Sequence, residues 1–142
     1  MENNTKVRVA IIINNKLNRG EASNVCAILM GQLAIKYPNI YSDKYIIDQS
    51  NYIHSGIKCN IIILKSQENQ LYDFCLKLSE DELIEKLNVI IFTEEGRQLS
   101  NEFNEYEKII HSNKLIDLCP IAIIIVGNEN YIRELTRDFN LY

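Results

Sequence analysis

The chain has 142 residues, 46% of them hydrophobic and 24% charged, with a formal net charge of −4 at pH 7. That length suits one domain around a single core, and an acidic balance with no stripe of clustered Lys and Arg argues against a generic nucleic-acid surface. No apolar run reaches the roughly 18 residues of a membrane span, and the opening Met1-Glu2-Asn3-Asn4-Thr5-Lys6 is too polar for a secretory signal. The expectation is one cytoplasmic domain over residues 1–142, with no membrane partner.

The run Val7, Val9, Ala10, Ile11, Ile12, Ile13 predicts a first strand over residues 6–13. Unbroken β-branched residues suit a strand buried on both faces, as when helices cover both sides of a mostly parallel sheet, so this strand is expected at its centre. A polar connection follows, then a helix over 20–35 with Ala22, Val25, Cys26, Leu29, Leu33 and Ala34 on one stripe. Gly31 costs that helix about 1 kcal/mol against alanine and is expected to mark close approach of another backbone. Tyr37-Pro38 ends it, because a residue before proline disfavours the helical region.

Beyond Pro38 the pattern is irregular: Tyr45, Ile46 and Ile47 suit a short edge strand, and Asp48-Gln49-Ser50-Asn51 suits a turn. Residues 60–64 predict a second strand, and 67–78 a helix burying Leu71, Phe74, Cys75 and Leu78. Ser79-Glu80-Asp81-Glu82 has capping-box spacing for a further turn or two to Leu87. A third strand is expected over 89–92, an exit loop over 93–97, and then a helix facing Leu99, Phe103, Tyr106, Ile109 and Ile110 inward. After Pro120 come a fourth strand over 121–126, a turn at Gly127-Asn128 and a last helix near 130–137. Strands alternating with helices imply an α/β fold, a three-layer α/β/α sandwich on a four-stranded sheet.

The cysteines Cys26, Cys59, Cys75 and Cys119 are dispersed, with no Cys-x-x-Cys or nearby His pair to suggest zinc. Buried reduced thiols are expected, and Cys59 beside Lys58 is the one read as lying near a strand mouth. No metal site and no cofactor are indicated.

The order strand, Leu17-x-x-Gly20-x-x-x-Asn24 helix, His54-x-Gly56-Ile57, Phe92-Thr93-x-Glu95, Gly127 and Leu141 resembles, over essentially the whole chain, a family of small bacterial domains of unknown function. That family is related in fold to the type-2 peptidyl-tRNA hydrolases. The resemblance implies a mixed four-stranded sheet with one antiparallel strand, and a closing segment ending Phe139-Asn140-Leu141-Tyr142 that returns to the sheet. It brings no activity. Where the hydrolases carry Gly-Lys-x-x-Ala-Gln-x-x-His, this chain follows Gly20 with Glu21, then places Val25 and Ile28 at the glutamine and histidine positions. Their Asp-Ala-Gly-x-Thr corresponds to Glu94-Glu95-Gly96-Arg97-Gln98. With lysine and histidine replaced, peptidyl-tRNA hydrolysis is not the expectation.

Three places concentrate polar residues. Helix-start amides at the connection over 14–24 can hold an oxyanion, with Gly20 permitting approach and Lys16, Asn18, Arg19, Ser23 and Asn24 as donors. Equally, Asn18 can be the helix cap, and Glu21 can satisfy the dipole and repel an anion. His54 is either a general acid or base or an imidazole packed within its loop. Glu94 and Glu95, with Thr93 and Arg97, offer either a mixed-charge pocket or solvated loop acids. These residues yield three readings: a small-ligand-binding or accessory domain with a pocket among the three loops, an ester or amide hydrolase using Glu94 or His54, and a homodimeric structural or interaction module.

Overall fold

The computed structural model describes residues 6–80 and 88–142. Its five-stranded sheet contains β1 (Val7–Asn14), β4 (Asn60–Ser66), β5 (Asn88–Thr93), β6 (Pro120–Asn128) and β7 (Asn140–Leu141), in the order β5-β6-β1-β4-β7. Strand β1 pairs parallel with β4 and antiparallel with β6, while β5 is antiparallel to β6 and β7 to β4. The sheet is thus mixed, β1 sits at its centre, and Asn14, Ser66, Thr93 and Pro120 meet at one end of it.

Alternation along the strands assigns the layers. Val9, Ile11 and Ile13 join Ile124 and Val126 beneath α1 (Arg19–Lys36), which supplies Ala22, Val25, Leu29 and Leu33. Ala10 and Ile12 join Ile123 and Ile125 on the other face. There they meet Leu71, Phe74, Cys75 and Leu78 of α2 (Glu68–Glu80) and Ile132 of α5 (Glu129–Leu135). Each fully buried Leu or Ile contributes roughly 1.5–3 kcal/mol, so the doubly covered β1 and β6 dominate the stability of the domain.

The four-stranded expectation needs correction. Asn140–Leu141 adds a fifth, two-residue strand, because Phe139 packs edge-to-face on Phe74 at 5.0 Å and delivers the tail to β4. Ile46–Ile47 (β2) does not edge this sheet; it pairs with Ile53–His54 (β3) in a separate ribbon. The Asp48 carboxylate closes that ribbon's turn by accepting from the Ser50 and Tyr52 amides, and Asn51 takes the left-handed conformation at φ 71°. Gly31 has nothing within 4 Å of where a Cβ would stand, so no backbone approaches it. The proposed capping box involving residues 81 and 82, and the turns to Leu87, lie outside the described residues.

After β5 the chain forms a short helix, α3 (Glu94–Gln98), where an open loop was expected, since the Thr93 hydroxyl caps it by accepting from the Gly96 amide at 3.1 Å. Helix α4 (Phe103–Ser112) follows at the periphery, with Phe103 65% exposed, so its expected inward face is only partly covered. Gly96 makes α3 fit: a Cβ there would come within 2.9 Å of both the Phe92 and Tyr106 rings. The expected result for Gly96→Ala is therefore a net loss of about 1–2 kcal/mol in urea unfolding, because ring displacement outweighs the gain of up to about 1 kcal/mol in helix propensity. An unchanged or higher midpoint would show that the rings yield freely.

Candidate functional site

The carboxyl ends of β1, β4 and β5 form a polar rim, the usual position for ligands in open α/β sheets. Asn14 is buried there at the end of β1, its side-chain oxygen accepting from the Lys16 amide at 2.9 Å and its carbonyl from the Leu17 amide at 3.1 Å. Leu17 is buried too and pins the turn. Asn18 then caps α1 in a capping box: its side chain accepts from the Glu21 amide at 2.8 Å, and Glu21 accepts from the Asn18 amide at 3.0 Å.

Arg97 ties this turn to α3. Its guanidinium donates to Glu21 Oε2 at 2.5 Å and to Glu94 Oε1 at 3.2 Å, while Gln98 donates to the other Glu94 oxygen at 3.2 Å. Glu95 accepts from the Cys119 amide at 3.2 Å, and the Cys119 carbonyl accepts from the Glu94 amide at 2.8 Å. On the other side, Lys16 pairs with Glu68 at 2.7 Å, linking the turn to the start of α2. Of the expected residues, Lys16, Asn18, Gly20, Thr93, Glu94, Glu95 and Arg97 thus belong to this end of the sheet.

Ser23 and Asn24 are exposed on α1, and none of the rim hydrogen bonds described above reaches them. A Cβ at Gly20 would meet only Asn18 Oδ1, at an ordinary 3.5 Å, so the turn does not require glycine for space. His54 is elsewhere. Its ribbon lies between the end of α1 and the beginning of β4, at the amino ends of the parallel strands, and its Nε2 lies 2.6 Å from Asp48 Oδ2. This pairing, followed by the Tyr52 and Ser50 amides, holds the Asp48 carboxyl below its ordinary value. The imidazole therefore closes a hairpin instead of facing Glu94.

The exposed thiol is Cys119, at the rim, whereas Cys59 is half-buried at the opposite end and Cys75 is buried. Partial desolvation by the surrounding rim, then the charges of Glu95, Glu68 and Glu94, push the Cys119 thiol up despite its exposure, so it is protonated near neutral pH and a poor nucleophile. Both Glu94 oxygens are already engaged, which disfavours it as a free base. Among the described residues, no group of three or more His, Cys, Asp and Glu side chains is placed to hold a metal ion. Beside the rim, Asn15, Arg19, Lys65 and Tyr142 line a groove of about 320 Å³. No ion pair reaches Arg19 or Lys65 among the described residues. The tail returns to the sheet as the resemblance implies, pairing with β4 and so bringing Tyr142 beside Lys65, but the groove formed there was not among the expected sites.

A family model described as protein of unknown function, DUF2000, matches residues 7–142. The chain belongs to this family. No curated protein matches the sequence. Among solved structures, a protein of unknown function from Agrobacterium tumefaciens, Atu0240, is similar with a TM-score of 0.79 at 12% identity, covering 96% of this chain and 98% of that one. At that identity the likeness shows a shared fold alone. No helix among the described residues of this DUF2000 chain is long and apolar enough to cross a membrane.

The bridge made by Arg97 has an acid-dependent consequence. The Glu21 carboxyl lies below its ordinary value of 4.5, first through the Asn18 amide and then through Arg97. A depressed carboxyl stabilises the fold above its ordinary range and loses that contribution as pH falls through the folded value. Arg97→Ala removes one cause, so the variant should be less stable near neutrality yet lose less stability than wild type between about pH 6 and about pH 3. Urea titrations across that range check this; parallel pH profiles would show that the pair is not formed in solution.

Proposed function

We propose that this chain is a cytoplasmic small-ligand-binding domain on a peptidyl-tRNA hydrolase-like scaffold, with its site in the groove beside the first turn. The observation that carries this reading is the groove of about 320 Å³ at the carboxyl-end rim, where Arg19 and Lys65 flank Asn15 and Tyr142. Two cations without ion-pair partners among the described residues, next to an aromatic ring and an amide, suit a compact anion such as a phosphate or carboxylate. The capping box and the Arg97 bridge brace the turn, so the groove is preformed on one side.

The scaffold reading is supported by a mixed sheet whose four longer strands include one antiparallel member, β6. Binding is favoured over hydrolysis because Glu21 stands at the lysine position of the hydrolases and the 42% exposed Ile28 at their histidine position. Thermal-shift screening against anionic metabolites is expected to raise the melting temperature of wild type. At about 100 times the Kd a ligand adds about 2.7 kcal/mol of stability. The Arg19→Ala/Lys65→Ala double variant should lose the response. A shift that persists in the double variant, or none across the panel, rejects the site.

A second reading, self-association, is favoured by the ribbon. Tyr45 and Tyr52 are 76% and 71% exposed there, beside exposed Ile46, Ile47 and Ile53, an apolar cluster of the kind that marks association surfaces. Light scattering on concentrated protein should then report a dimer that Ile46→Glu/Ile53→Glu converts to monomer. A monomeric wild type excludes this reading.

A further inference from the structure

At the opposite end of the sheet from the rim, a cleft of about 660 Å³, well within the range of small-molecule sites, is lined by residues that include Lys6, Val7, Tyr37, Ile40, Lys58 and Asn60. Its walls are tied to the fold. The Lys58 amide donates to the Ile40 carbonyl at 2.8 Å, Tyr41 and Ile57 form a β-bridge, and the Lys6 carbonyl accepts from the Glu129 amide at 2.8 Å. Ile40 is buried and anchors the floor, so the cleft is set by the same core that fixes the end of α1.

The chemistry of its lining is one-sided. Among the described residues two lysines face it and no carboxylate does; Asp43 belongs to an adjoining cleft across Asn39 and Lys58. Among the described residues no ion pair engages Lys6 or Lys58, and no side-chain hydrogen bond engages Tyr37, Asn39 or Asn60. Burial raises the Cys59 thiol, which leaves it an uncharged wall. Val7, Ile40 and Ile57 supply apolar surface between these polar groups. On a chain of net charge −4, this is a local cationic site with an apolar floor.

We propose that this cleft binds a small organic anion, its apolar or aromatic body against Val7, Ile40 and Ile57 and its charged group between Lys6 and Lys58. Asn39, Asn60 and the Tyr37 hydroxyl supply the hydrogen bonds that orient it. The cleft has about twice the volume of the rim groove and lies at the other end of the sheet, so the two sites are independent of each other.

Titrations of isotopically labelled full-length protein with naphthoate, naphthyl phosphate and the neutral naphthylmethanol, followed by amide NMR, test it. The expected result is saturable shifts at residues 37, 39, 40 and 57–60 with either anion. Lys58→Glu should weaken both anions about tenfold, that is by about 1.4 kcal/mol, since reversing one exposed charge replaces an attraction by a repulsion. Lys58→Gln, as the milder change, should weaken them by an intermediate factor, with unchanged thermal midpoints confirming folding. The ranking of the two anions assigns carboxylate or phosphate as the preferred head group. Equal binding of the neutral alcohol, anion affinity unchanged in Lys58→Glu, or shifts confined to Asn15, Arg19, Lys65 and Tyr142 would overturn the proposal.

Discussion

The structure depends on burying both faces of β1 and β6 at once. Residues 9–13 and 121–126 are 4% exposed or less, and no single helical layer can cover two faces of a sheet. The chain must therefore place α1 on one side and α2 with α5 on the other. That requirement sets the polarity of the molecule. Each strand that feeds a covering helix has to release its chain at the carboxyl end, and the backbone groups freed there need polar partners. The capping box at Asn18, the buried Asn14 and the Thr93 cap all answer this need, so the polar character of the rim is a structural necessity in its own right.

The charges of the rim act on geometry more than on stability. The Arg97 and Glu21 side chains are each about one-third exposed, and exposed pairs are worth little once solvent and side-chain entropy are counted. What the arrangement does is join the start of α1 to α3 beside Arg19 and Lys65, which no ion pair among the described residues reaches. Paired groups thus lie on one side of the turn, and on the other lie cations without ion-pair partners among the described residues. The same distinction separates His54, consumed by Asp48, from Lys6 and Lys58 in the cleft at the amino ends of the strands.

Much of this was legible in the residue pattern, and the failures have physical causes. Periodicity located β1, α1, the buried face of α2 and β6, because long apolar stripes leave one solution. It missed β7, since two residues carry no period, and their pairing is imposed by the distant contact of Phe139 with Phe74. The helix after β5 was readable: Thr93 followed by Glu94 and Glu95 is a cap followed by acids at a helix start. The exposure of Phe103 was not, because amphipathic spacing shows which residues share a face without showing how much of it is covered. Cys119 is exposed despite its apolar neighbours because it stands one residue before the buried part of β6.

The position of His54 follows from chain direction alone. A helix that leaves the carboxyl end of β1 and runs back across the sheet returns the chain to the amino ends, so whatever lies between α1 and the start of β4 begins from that side. Sequence proximity to a strand does not say which of its ends is near; the parity of crossings does. The same rule puts residues 94–98 with the first turn, as Arg97 and Glu21 show. A fold shared at 12% identity with the Agrobacterium protein is consistent with this logic, since the constraints that fix the two ends are apolar alternation and strand order, which many sequences satisfy. The chemistry of each end is then free to change without moving the scaffold, and the activity of one member does not transfer to another through the fold.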